Sequence, residues 1–242
     1  LFKGANSFWV WCGYGSPGAV MAYDVSLYPF FGAACQEVVR IKQGPGKLLM
    51  NARRQHDGIA LLWSAPSLHA GTATDGYPDL DSTLNSVVKI LHDTGLEARV
   101  LSGSQLAAGK LSKEEFKVLL LPGTLALSQA EIKAIRQFVS AGGTVIADLR
   151  PGVTDEHGRP YDRWPLADLF GARLTGPFAA GNGDLTVEGA RLGAVTCDTA
   201  VAGTGAGQIA GTPVLVSKKV DGGQAILLNF SLKGYLSLPK AP

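Results

Sequence analysis

One stretch constrains the fold more than any other: "KVLLLPGTLALSQAEIKAIRQFVSAGGTVIADLRPG", residues 117–152. It opens on a short continuous apolar run, the pattern of a strand buried on both faces. Ser128 and Glu131 then stand at capping-box spacing, where each side chain satisfies a backbone N–H that the first helical turn leaves orphaned. Ile132, Ile135, Phe138 and Val139 repeat at helical spacing and define a buried face. Gly142 and Gly143 stop the helix, and "TVIAD" is a second strand. Strand, capped helix, strand at this spacing predicts a parallel pair with a crossover helix.

The alternation extends upstream. "IALLWS" (59–64) reads as another buried strand. "STLNSVVKILHDTG" places Leu84, Val87, Val88 and Leu91 on one helical face and ends at Gly95. "EARVLSG" is a further strand. Between the first strand and its helix, "APSLHAGTATDGYPDLD" reads as a long loop. The expected fold is therefore α/β, with a doubly wound, mostly parallel sheet. Strands 59–64, 98–101, 117–121 and 144–148 should share one sheet, with 224–230 beside them. After Asp148 a long loop leads to a short helix at "LADLFG". Residues 172–211 are rich in Gly, Ala and Thr and carry weak strand signals such as "DLTVEG". Two clear strands, "TPVLVSKKV" and "QAILLNF", flank a "DGG" hairpin turn.

Residues 1–56 differ in character. "NSFWVWCGYG" reads as an aromatic strand, and "YPFFGAACQEVVRIKQGPGKLLMNARRQ" as a helical region broken at Gly44-Pro45-Gly46. One strand and one helical region cannot close a core alone, so the expected division is 1–56 and 57–242. The opening "LFKGANSFWVW" has neither an initiator Met nor a signal-like segment. The chain is expected to be a fragment of something longer; its compartment stays open, with the cytoplasm favoured.

Composition removes several functions. The chain has 242 residues, 17% of them charged, and a formal net charge of +2 without long runs of one sign. A basic stripe for nucleic acid is absent, and no apolar run is long enough to cross a bilayer. Cys12, Cys35 and Cys197 are far apart and match no CxxC spacing, which argues against both a disulfide framework and structural zinc. No cofactor is expected.

A strand bearing paired tryptophans, a helix with "QEVVRI", the "IALLWS" strand, the "VLLLPG" strand and the "GGTVIAD" strand follow one another in this order. Together they resemble the C-terminal part of a family 42 type β-galactosidase. The resemblance runs from about residue 4 to 230, and "TDEHGRP", "LADLFG" and "GGQAILLNFSL" fit it. It implies that residues 1–56 are the last βα unit of a (β/α)8 catalytic barrel. Residues 57–242 would be a trimerisation domain of class I glutamine amidotransferase-like fold. It implies homo-oligomerisation, with a trimer favoured, and an upstream catalytic barrel as the other partner; neither nucleic acid nor membrane is expected. Amidotransferases carry a Cys on a strand-to-helix elbow and a His after the last core strand. Here "TVIADLRPG" has no Cys, and Asn229 and Ser231 stand where the His would be wanted. A glycosidase needs two carboxyl groups about the scissile bond. A barrel takes on the order of 250 residues, and the acids in the first segment, Asp24 and Glu37, match no family catalytic motif. No catalytic residue is therefore assigned.

Trp9 and Trp11 alternate along a strand and share a face. In a parent barrel they are candidates for stacking on a sugar, or for plain core packing. "GPGK" lacks the Ser/Thr that a phosphate loop places after Lys47 and reads as a helix break. Asp155, Glu156, His157 and Asp162 read as a solvated loop rather than a hard-metal site. His69, Asp75, Tyr77 and Asp79 lie on the long loop, open to a subunit contact, plain surface or a ligand contact. Trp63 reads as core or interface. Beside the oligomerisation module two functions stay open. One is an amidotransferase-like enzyme or ligand-binding module using the crevice around Ser64, Gly123 and Asp148. The other is a carbohydrate-binding accessory domain using Trp9 and Trp11.

Overall fold

The computed structural model describes residues 13, 19–52, 55–73, 77, 79–112, 114–187 and 189–237. Two compact units divide at Gln55/His56. In the first, helix α1 (Pro29–Gln43) stops at Gly44 and α2 (Pro45–Asn51) restarts immediately with Pro at its first turn. Proline is tolerated there because the N–H it lacks would be orphaned anyway. The aromatic strand expected near residue 9, with Trp9 and Trp11, lies outside the described residues.

The second unit is built on a seven-stranded sheet. Its strands, in chain order, are β1 (Ile59–Trp63), β2 (Ala98–Ser102), β3 (Val118–Leu121), β4 (Thr144–Asp148), β9 (Ala206–Ile209), β10 (Thr212–Val220) and β11 (Gly223–Leu228). In space the order is β2-β1-β3-β4-β11-β10-β9. The first five run parallel, and β10 pairs antiparallel with both β11 and β9. The expected strands share this one sheet. Outside it, β5 (Ala172–Leu174) pairs with β8 (Val201–Gly203), and β6 (Ala180–Val187) with β7 (Ala190–Asp198).

Both faces of the parallel strands are used. One carries the larger core, into which α5 (Gly103–Ala107) inserts Leu106, α6 (Gln129–Ser140) inserts Ile132, Ile135, Phe138 and Val139, and α7 (Ala167–Phe170) inserts Phe170. Each such side chain contributes roughly 1.5–3 kcal/mol on leaving water. The other face carries α4 (Leu80–Asp93), whose Val87 and Leu91 pack on Ile59 and Leu61 of β1. The C-terminal 3-10 turn Lys233–Ser237 is pinned to α4: Ser86 Oγ donates to the Lys233 carbonyl at 3.2 Å.

The caps act as expected at α6. Ser128 Oγ accepts the Glu131 N–H at 3.3 Å, and Glu131 Oε2 accepts the Ser128 N–H at 2.7 Å. Ser128→Ala is expected to lower stability by about 1 kcal/mol in urea titration; an unchanged midpoint would remove the box from the account of this helix.

The loop expected after β1 is corrected. Residues Ala65–Thr72 form helix α3, capped by Ser64, whose Oγ accepts the Ser67 N–H at 3.2 Å, with Pro66 in the first turn. Its stop and start signals are genuine, but only Ser67 is buried, so no apolar stripe announces it.

Candidate functional site

The sheet brings several chemistry-bearing side chains to the C-terminal ends of β1, β3 and β4, the edge where open α/β sheets bind ligands. At β1, Ser64 is held by its own cap. Ser67 Oγ lies 2.8 Å from Ser64 Oγ and accepts the Ala126 N–H at 2.9 Å. Both hydroxyls are thus engaged with each other and with Ala126, and among the described residues neither is bonded to a histidine or carboxylate.

At β3, the chain turns through Gly123 at φ +52°, and a Cβ there would sit 2.9 Å from Leu80 Cδ2. The turn aims the Gly123 N–H at Asp148 Oδ1, 2.6 Å away. Asp148 is 2% exposed, and its Oδ2 has no partner among the described residues. Burial pushes its carboxyl up to about 7, with the Gly123 N–H pulling the other way. Leu149 follows at φ +48° and is fully buried. A left-handed leucine straight after a strand is a strained position of the kind that elbows use to present a nucleophile. The side chain presented here is apolar.

Arg150 comes next. Its backbone N–H reaches the Tyr77 hydroxyl at 3.4 Å, and its Nε is bound to Asp198 Oδ2 at the end of β7. Asp198 is completely buried; its Oδ1 accepts N–H groups from Ala179 at 3.2 Å and Ala200 at 3.0 Å. The guanidinium lies 5.7 Å from the Phe178 ring centroid, and that ring packs against Tyr77 at 5.1 Å. Desolvation first, then the Asp148 charge, push the Tyr77 phenol above its ordinary range. Asn229 is a staple: its Nδ2 donates to Asp198 O at 2.9 Å and Pro213 O at 3.0 Å. Ser231 Oγ accepts the Lys233 N–H at 3.2 Å. These groups lock strand ends together; no nucleophile–base pair forms among the described residues of this crevice.

The remaining candidates are dispersed. His69 sits on α3, Tyr77 is half-buried beside Arg150 and Phe178, Asp79 caps α4 by accepting the Asp81 N–H at 3.1 Å, and Asp75 lies outside the described residues. Asp155 Oδ1 closes a turn by accepting N–H groups of His157 and Arg159, both at 2.9 Å, while Glu156 and His157 stay exposed. Among the described residues no three His, Cys, Asp or Glu side chains are grouped to hold a metal ion, and no helix is long and apolar enough to cross a membrane. Cys197 is buried, which pushes its thiol up, and Cys35 is exposed and free. Trp63 is 44% exposed at the end of β1. The Arg150–Asp198 pair and the Tyr77 contact had no sequence signal, because their partners lie far apart in the chain.

The sequence model of the β-galactosidase trimerisation domain matches residues 59–236. The chain belongs to this family. No curated protein sequence matches it. Solved structures share the fold. The β-galactosidase from Bacillus circulans sp. alkalophilus superposes with a TM-score of 0.69 at 17% identity, over 90% of this chain and 36% of that one. A catalytic mutant of Gan42B, a GH42 β-galactosidase from G. stearothermophilus, gives 0.67 at 18% identity, over 94% and 36%. The exo-β-1,4-mannosidase Op5Man5 from Opitutaceae bacterium strain TAV5 gives 0.56 at 12% identity, over 90% and 38%. The trimerisation domain chain thus spans little more than a third of the proteins it resembles.

Proposed function

We propose that this chain is the non-catalytic, self-associating module of a longer glycoside hydrolase of β-galactosidase type, and that it assembles as a trimer. The observation that carries the reading is the family match over residues 59–236. The crevice supports it. An amidotransferase-like scaffold needs a nucleophile and a base, and the elbow position holds Leu149 while Asn229 works as a staple. Residues 1–56 are read as the end of the catalytic barrel. Their two acids support no hydrolysis: Asp24 accepts the Ser26 N–H at 3.0 Å in an exposed turn, and Glu37 pairs with Arg40 on exposed helix surface. Trp9 and Trp11 are read as sugar-stacking residues of the parent barrel.

Light scattering on a sizing column tests the assembly. The expected mass is three times that of the 25.3 kDa chain. A monodisperse monomer at roughly tens of micromolar, where interfaces of stable oligomers are saturated, would overturn it. On aryl galactosides the chain alone is expected to show no turnover. Turnover that survives repurification and disappears with Asp24→Asn or Glu37→Gln would refute the non-catalytic reading.

A further inference from the structure

An open sheet edge is a template for another chain unless something covers it. The seven-stranded sheet has two edges, β9 and β2. The β6–β7 hairpin covers the first. Leu185 shares a buried cluster with Ile209 and Val214, and a Cβ added to Gly183 would meet Ile209 Cγ2 at 3.1 Å. At the second edge, β2 pairs with β1 alone among the described residues.

The side chains follow the same division. Helix α4 lies on β1 through Val87 and Leu91, with Val118 and Leu120 of β3 packed against them. A helix is about 10 Å across and strands lie about 4.8 Å apart, so a helix over β1 and β3 leaves β2 short of cover. Ile90 of α4 lines a hollow over β3, β4 and β11. Val88, two residues from Ile90, stands about 200° round the helix and so on the opposite flank, toward β2; it is 45% exposed. Val100 is level with Leu61 in the β1–β2 register and thus on the α4 face of the sheet, where it is 57% exposed. Trp63, two residues after Leu61, shares that face and is 44% exposed. Leu96, between α4 and β2, is 42% exposed. The one charged side chain of β2, Arg99, alternates to the other face and is bound to Glu115.

Among the described residues of 59–236, the large apolar side chains left exposed are these four and Leu236. Single exposed apolar residues are ordinary, whereas a contiguous group marks an interaction site. The occupant follows from the family match: the trimerisation domain covers 59–236 and leaves out the exposed Phe30 and Met50 of the first unit. We propose that the β2 edge, with Trp63, Val88, Leu96 and Val100, is the face by which one copy of this chain holds the next. The inference rests on the self-associating reading above and locates it on the molecule.

The double variant Val88→Lys with Val100→Lys, made in the full chain, tests it by light scattering on a sizing column. Both positions are open to solvent, so the far-ultraviolet circular dichroism should match that of the parent. A lysine forced into an apolar contact without a partner should weaken association by roughly tenfold or more at each site, and the trimer should give way to monomer. Leu236→Lys should leave the trimer whole; its loss there too would overturn the proposal, since any added charge would then do the same. A folded double variant that stays trimeric overturns this face and leaves the trimer standing. A parent chain that is itself monomeric overturns both. Deuterium exchange of the unaltered chain gives a second measurement. Amides of 96–102 should exchange faster once dilution has separated the copies, and rates that do not change while the mass falls overturn the face as well.

Discussion

Asp198→Ala is expected to destabilise the fold by about 3–5 kcal/mol, the usual consequence of removing one partner of a buried ion pair. Asp198 is completely buried and receives the Arg150 Nε and the N–H groups of Ala179 and Ala200. Alanine leaves all three donors without an acceptor. It also leaves the guanidinium charge, itself 8% exposed at the side chain, in a low-dielectric setting with Phe178 as its other neighbour. The damage should be an effect of the unpaired charge more than of the pair's own strength. Arg150→Met combined with Asp198→Leu should therefore recover most of the loss. Urea denaturation of Asp198→Ala and of the double variant gives the answer. A loss under about 1 kcal/mol for Asp198→Ala would mean that water reaches Arg150, and that the cluster is not the closed staple described above.

Asp148→Asn is expected to act in the opposite direction, and only above mild acidity. The folded carboxyl is raised from 3.8 to about 7 by burial. Between those values the native state holds a proton that the unfolded chain has released. Stability is therefore fully present below about pH 4, falls as pH rises through the window, and levels off above about 7. The separation of the two values sets a ceiling of about 4 kcal/mol on the decline. Asparagine keeps an acceptor for the Gly123 N–H and carries no charge, so its stability should be flat across this window. The variant should match the parent near pH 4 and exceed it at pH 8. Thermal midpoints at both pH values measure this; a parent chain whose stability changes between pH 4 and 8 no differently from the variant's contradicts it.

The parallel core was legible because each element carries its own punctuation. β1 and β3 are apolar runs, α6 has the Ser128–Glu131 box, and α4 has Val87 and Leu91 at helical spacing. Helix α3 was read as loop because it buries only Ser67, leaving composition to speak for it. The strands between Ala172 and Ile209 were faint for a related reason. β6 and β7 are held by backbone pairing and are built from small residues, such as Gly181, whose added Cβ would meet Thr199 Cγ2 at 2.4 Å. At the site, the loop bearing Asp148 and Arg150 was visible. Its partners were not. Asp198 reaches Arg150 only because the β6–β7 hairpin folds back over the end of β4, a long-range contact that no local spacing encodes.

The neighbourhood of β4 and β11 also governs the order in which the molecule can be made. Thr144 pairs with Gln224 and Asp148 with Leu228, yet residues 149–222 lie between the two strands. During synthesis β1 to β4 and their helices emerge first and can dock with one another. β4 then stands as a bare edge, its hydrogen-bonding groups unpaired, while the β-rich insertion is still being made. Only the last strand to appear closes it. Such long-range pairing slows folding and prolongs the interval in which an open strand can capture another chain. A chain cut short of Gly223 loses the strand that shields β4, and its fate is aggregation rather than a smaller version of the same fold.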